Sequence, residues 1–130
     1  MGCGRIGAQV AETLWLGGHD VCMIDAEEEN FLLLPKEMRE REGSTFVGDG
    51  TLDADLVEAG IRDADIFVAV AVRDNRNAFA AQKAKYVFRV PQVVCRVGDT
   101  VRQEMYSQLG LDAVSPTKVT AALILEAVML

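Results

Sequence analysis

The stretch Gly2-Cys3-Gly4-Arg5-Ile6-Gly7, "GCGRIG", decides the fold. It has the G-x-G-x-x-G spacing of a turn that leads from a buried strand into a helix and cradles phosphates. Such a strand normally runs about five or six residues, and here only Met1 precedes the turn. Read alone, the spacing is weak, because a chain with 11 glycines can produce it in a surface loop. The rest of the sequence has to decide.

Four short apolar runs follow at regular intervals: "VCMID" ending at Asp25, "STFVGDG" ending near Gly50, "DIFVAVAV" ending at Val72 and "QVVCRV" ending at Val97. They are β-branched and mostly continuous, the pattern of parallel strands buried on both faces. Helix-length segments separate them. Ile6, Val10 and Leu14 form one apolar stripe, stopped by Gly17-Gly18. "TLDADLVEAG" starts with a Thr51 cap and ends at Gly60, and "DTVRQEMYSQLG" runs from an Asp99 cap to Gly110. A short strand near Ala113 and Val114 precedes "SPTKVTAALILEAVML", where Ser115 caps and Pro116 takes the first helical position. Pro35 should break the segment "AEEENFLLLPKEMRERE". The alternation predicts an α/β fold, a Rossmann-like doubly wound parallel sheet with right-handed crossovers, whose first strand is truncated or missing at the N-terminus.

Bulk composition bounds the function. The 130 residues are 50% hydrophobic and 25% charged, which suits one globular domain spanning 1–130. A formal net charge of −7 argues against a nucleic-acid or anionic-membrane surface. The apolar stretch from Ala121 to Leu130 is short and interrupted by Glu126, so no direct membrane insertion is expected. Cys3, Cys22 and Cys95 form no C-x-x-C pair, which disfavours a zinc site and a disulfide scaffold. They read as reduced and cytosolic, with Cys22 and Cys95 packing as small hydrophobes.

Within this fold the glycines acquire roles. Gly2 permits the tight turn, Gly4 lets the backbone approach a pyrophosphate, and Gly7 lets the helix pack closely, while the helix N-terminus supplies amides and dipole. Cys3, Arg5 and Ile6 complete the turn, with Arg5 a candidate cation against the phosphates. Asp25 closes a strand 18 residues after Gly7, where an acid accepts hydrogen bonds from ribose hydroxyls and repels a 2′-phosphate. NAD(H), or an adenosine nucleotide such as ATP, ADP or AMP, is thus favoured over NADP(H). "VGDGT" places Asp49 and Thr51 at the carboxyl edge of the next strand, beside the adenine or ribose.

In order and spacing, "GCGRIG", "HDVCMID", "FVGDGT", "AGIRDADIFVAV", "VVCRVGD" and "LGLDAVSPT" resemble the RCK domain, the N-terminal nucleotide-binding domain of the TrkA-type potassium-uptake regulators. The resemblance spans Gly2 to about Ala122. It implies that Gly2, Gly4, Arg5 and Gly7 hold phosphates, that Asp25 holds ribose, and that Asp49 and Thr51 border the adenosine. It also places Asn77 and Arg96 near the ligand, although a helix-start asparagine and a strand-end arginine are equally well explained as structural. Where the family usually carries Thr or Ser after the fourth strand, this chain has Ala71 and Val72, so a hydroxyl contact is lost.

The resemblance implies a cytoplasmic regulatory domain, peripheral at the inner face of the membrane, that senses NAD(H) or ATP/ADP and gates a separate potassium transporter or channel subunit. It also implies a homodimer or a larger ring. Two other classes stay open: a fragment of an NAD-dependent oxidoreductase, and a structural dimerisation module with a degenerate pocket. An oxidoreductase needs an acid or base beside the nicotinamide. Neither Tyr86 nor Tyr106 begins a Tyr-x-x-x-Lys pair, and the only histidine, His19, falls at the amino edge of the sheet. No catalytic residue and no metal ligand is therefore expected. The helix over about 116–130 is apolar on nearly every face, more than one sheet can cover, so it is expected to self-associate, and the resemblance implies that it crosses between subunits.

Overall fold

Five strands run parallel, in two groups. In the computed structural model, which describes residues 1–129, β1 (Met23–Asp25) pairs with β2 (Thr45–Val47), and Ile24 lies opposite Phe46. Separately, β3 (Ile66–Ala69) pairs with β4 (Gln92–Arg96), which pairs with β5 (Asp112–Val114). Helices α1 (Arg5–Leu16), α2 (Lys36–Glu40), α3 (Asp53–Glu58), α4 (Asp74–Gln82), α5 (Thr100–Gln108) and α6 (Pro116–Met129) alternate with the strands. The α/β parallel architecture expected from the sequence is therefore present.

Both faces of the sheet are covered, as continuous apolar strands require. Successive side chains of a strand point to opposite faces. On β1, Met23 packs with Cys3, Ala8, Ala11, Phe31 and Met38, whereas the adjacent Ile24 packs in a second core with Leu56, Ile61 and Phe67. Alanines 78, 80 and 81 of α4 are all buried, which brings the helix close to the sheet.

Met1 and Gly2 bridge the backbones of the two groups of strands. The Met1 amine donates to Val68 O at 2.9 Å, Val70 N–H donates to Met1 O at 2.9 Å, and Gly2 N–H donates to Ile24 O at 2.9 Å. Behind this bridge a cavity of about 530 Å³ lies between β1 and β3. Met1 thus sits paired at the head of this groove.

Several local expectations hold. Asp99 caps α5 by accepting from Val101 N–H and Arg102 N–H. Ser115 accepts from Lys118 N–H, and Pro116 opens α6. Gly60 and Gly110 have positive φ just past their helices. Pro35 divides the second helical segment into a 3-10 turn, Glu28–Leu33, and the short α2.

Four details differ. Thr51 does not cap α3: the helix begins two residues later behind Leu52, and the Thr51 hydroxyl is taken by Asp49 at 2.6 Å. A charged acceptor two residues away outcompetes the helix end. In α1 the buried residues are Gly7, Ala8 and Ala11, while Ile6 is 43% exposed and Val10 and Leu14 line the cavity. Cys22 is exposed on that same cavity, although Cys95 and Cys3 are buried. Finally, α6 buries none of its described residues, not even one stripe, and Leu130 lies outside the described residues.

Candidate functional site

At the carboxyl ends of β1, β2 and β3 the chain places most of the residues singled out by sequence. Gly2 has φ +101°, and a Cβ there would sit 2.5 Å from the backbone N of Ala71. Only glycine fits. A Cβ on Gly7 would strike the Gly2 carbonyl, so α1 starts directly on the turn. Gly4 is the opposite case: its Cβ would meet nothing within 4 Å, and no side chain caps the helix it precedes. The first-turn amides of α1 are left to solvent or to an anion. The side chains of Arg5 and Ile6 are exposed beside them.

Asp25 ties this turn down. Its Oδ2 accepts from Cys3 N–H at 2.7 Å, and its Oδ1 accepts from Glu27 N–H at 2.8 Å and Asn30 Nδ2 at 3.0 Å. Cys3 in turn donates its thiol to Asn30 O. Three donors occupy a carboxylate with roughly four acceptor positions, which leaves room for a sugar hydroxyl on a rigid, half-buried acid. Burial pushes the Cys3 thiol up to about 11, as it does Cys95, so neither is a ready nucleophile.

The second acid is engaged differently. Asp49 Oδ1 accepts from Thr51 Oγ1, from Thr51 N–H at 2.9 Å and from Arg76 Nη2 at 2.6 Å. The Thr51 hydrogen bonds, with Arg76 adding its charge, hold the Asp49 carboxyl below the usual carboxylate range. Sequence reading missed Arg76, which lies in the first turn of α4, 27 residues from its partner.

Asn77 and Arg96 sit together behind the Gly2 turn, on Ala71. Asn77 is fully buried; it accepts from Ala71 N–H at 2.8 Å and donates to Ala71 O and Arg96 O. Arg96 Nη1 also donates to Ala71 O at 3.2 Å. Ala71 thus takes part through its backbone, which needs no hydroxyl. Asp74, another residue the sequence reading passed over, accepts from Gly98 N–H and Asp99 N–H. Burial opposes its ionisation, but those two amides with Arg96 and Arg102 leave its pKa lowered.

This arrangement can hold an anion at the α1 N-terminus and a diol at Asp25. His19 lies before β1, at the amino ends of the strands and away from this arrangement. Among the described residues no cluster of His, Cys, Asp or Glu is set to hold a metal ion, and no helix is long and apolar enough to cross a membrane.

The family model for the TrkA-N domain matches residues 1–116. The chain belongs to the TrkA-N domain family. It is 38% identical over 121 residues to the Trk system potassium uptake protein TrkA of Streptomyces coelicolor, covering 93% of this chain and 53% of that protein. A TrkA homolog of the same uptake system from Methanothermobacter thermautotrophicus is 33% identical over 126 residues, covering 97% and 56%. The chain spans about half the length of these curated relatives. Among solved structures, the TrkA-N domain of the inner membrane protein ybaL from Escherichia coli superposes with a TM-score of 0.83 at 16% identity, covering 97% of this chain and 91% of that one. The NAD(P)-binding domain of an exopolyphosphatase-related protein from Archaeoglobus fulgidus gives 0.75 at 17%, covering 98% and 93%. GsuK bound to ADP gives 0.75 at 23%, covering 93% and 30%. These superpositions establish a shared fold. The RCK and TrkA resemblance read from the sequence is upheld by the family match.

Proposed function

We propose that residues 1–130 form one regulatory nucleotide-binding domain of a potassium uptake system, which senses an adenine nucleotide and passes its state to a separate membrane transporter subunit. The observation that carries this reading is the pairing of an uncapped α1 N-terminus, open at Gly4, with the anchored Asp25 carboxylate at the end of β1. Phosphates fit the first and a ribose diol fits the second. The names of the relatives, one solved as an NAD(P)-binding domain and another bound to ADP, support the same ligand class.

NAD(H) is the favoured ligand, with ADP, ATP or AMP as alternatives of the same chemistry. Gly2, Cys3, Gly4, Arg5, Ile6 and Gly7 surround the phosphates, Asp25 takes the ribose, and Asp49 and Thr51 border the adenosine. Ala71, Asn77 and Arg96 support the site from behind. No residue is assigned to catalysis. The domain works on the cytoplasmic side as a homodimer, with α6 crossing between subunits. Calorimetric titration with NADH, ADP, ATP, AMP and NADPH tests the reading, with hydride transfer to carbonyl acceptors assayed in parallel. Micromolar binding without turnover is expected. Absence of binding to all five nucleotides overturns it, as does steady turnover.

A further inference from the structure

The loop that leaves β2 arches over the end of β1 and is met there by α4. Gly48 N–H donates to Asp25 O at 3.0 Å, and Gly50 lies so close to the Met1 side chain that a Cβ would strike it. From the other side Arg76, in the first turn of α4, reaches Asp49 Oδ1. The arch therefore passes beside Asp25, and the Arg76 guanidinium is the flat group upon it, with 42% of its side-chain surface in water. The loop holds its place without this arginine. Asp49 N–H donates to Asp55 Oδ2 at 2.8 Å, and Lys83, two turns further along α4, holds Thr51 O and Asp53 Oδ1, each at 2.7 Å. A carboxylate oxygen offers about two lone-pair positions, and Thr51 N–H and Oγ1 already meet those of Asp49 Oδ1. A half-exposed ion pair added to an anchored loop contributes little to the fold. What it does is hold the tip of a long, flexible side chain in one place over the site.

We propose that Arg76 is the base-stacking residue of this site: its guanidinium, held by Asp49, covers the flat face of the nucleotide's purine and so favours ligands that carry a base over bare phosphates. This role rests on the nucleotide reading proposed above, which it deepens. A guanidinium stacks on an aromatic plane through dispersion and cation–π attraction, which a compact, strongly hydrated ammonium reproduces poorly. Stacking reads the face of a base and not its edge. Arg76 thus supplies one grip common to NADH, ADP, ATP and AMP, all of which carry adenine, whereas the α1 N-terminus and Asp25 grip phosphate and ribose.

The test is calorimetry of ADP and of inorganic pyrophosphate on the wild-type chain and on Arg76→Ala, Arg76→Lys and Arg76→Tyr. Lysine keeps the charge for Asp49 without the plane, and tyrosine keeps a plane without the charge. ADP affinity is expected to fall about tenfold in the Ala and Lys variants, within the range for stacking one base, and to recover to within about threefold in the Tyr variant. Pyrophosphate, which has no base, should bind all four proteins alike. Acrylamide quenching of bound etheno-ADP adds a readout on the wild type alone: the base should be shielded, and quenching as fast as in free solution overturns the proposal. Affinity restored by lysine and not by tyrosine, or a loss of pyrophosphate binding as large as that of ADP, assigns Arg76 to charge and overturns it too. If the wild type binds no ADP, the nucleotide reading and this role fall together. If it binds ADP and Arg76→Ala binds it as tightly or more so, this role falls alone.

Discussion

The Arg76 guanidinium closes on Asp49 Oδ1 at 2.6 Å, linking the first turn of α4 to the loop that leaves β2. Both side chains keep a third or more of their surface in water, so the pair is screened and worth at most about 1 kcal/mol. Arg76→Ala is expected to cost less than that at pH 7. Because the Asp49 pKa is lowered on folding, its contribution is present above the carboxylate range of about 4 and lost as pH falls through the folded value. Urea denaturation of wild type and variant at pH 7 and pH 3 checks this: the difference should shrink at the lower pH.

Asp25 anchors the glycine turn and, as proposed, takes the ribose; its variants separate the two roles. Asp25→Ala removes the acceptor for Cys3 N–H, Glu27 N–H and Asn30. It should lower affinity for NADH by about 1.5–3 kcal/mol, the range for charge-assisted hydrogen bonds. Asp25→Asn keeps an oxygen for one donor but drops the charge, so the preference for NADH over NADPH should shrink. Calorimetry on the three proteins gives both numbers. Equal affinity of the wild type for NADH, ATP and NADPH removes Asp25 from ligand selection.

Asn77 is a buried brace with three backbone partners, Ala71 N–H, Ala71 O and Arg96 O. Truncation to Ala takes the Asn77 partner from Ala71 N–H and Arg96 O, while Ala71 O keeps Arg96 Nη1, and each buried unmet group costs about 1–3 kcal/mol. Asn77→Ala should therefore destabilise the fold by about 3 kcal/mol or more, which chemical denaturation measures. Asn77→Asp keeps the acceptor for Ala71 N–H but loses both donated bonds, and should be no better. A loss below about 1 kcal/mol in both variants denies Asn77 this role.

What the sequence made legible was whatever is encoded locally. Asp99 and Ser115 sit one residue before their helices, and Gly60 and Gly110 one or two residues after theirs, so each boundary is written in neighbouring letters. The "GCGRIG" turn was legible for the same reason: Gly2 and Gly7 are needed for contacts made within the turn or with the strand beside it. The partners of Asp49 and Asp74 were not, because Arg76, Gly98 and Asp99 arrive from 24 to 27 residues away. A polar residue in the first turn of a helix reads alike whether it faces water, as a cap does, or turns inward as Asn77 does. The stripe of Ile6, Val10 and Leu14 is a different case: the periodicity is real, but Val10 and Leu14 face a groove and not the body of the sheet.

The last expectation concerns α6, which leaves Val119, Leu123, Ile124, Leu125, Val128 and Met129 each at least half exposed. Its polar residues after Val119 are Thr120 and Glu126 among those described, so no face is wetted by design. At roughly 25 cal/mol per Å² of apolar area, covering these side chains is worth several kcal/mol, enough to offset part of the cost of association. A twofold pair covers the same patch on both chains with one set of contacts. Sedimentation of the wild-type chain should therefore give a dimer, and Leu123→Glu and Leu125→Glu should each shift it toward monomer, because either carboxylate would be buried unpaired. The two leucines are two apart and so lie on different sides of the helix. If only one substitution dissociates the dimer, it marks the side in contact. A monomeric wild type, or a dimer indifferent to both changes, excludes α6 from the interface.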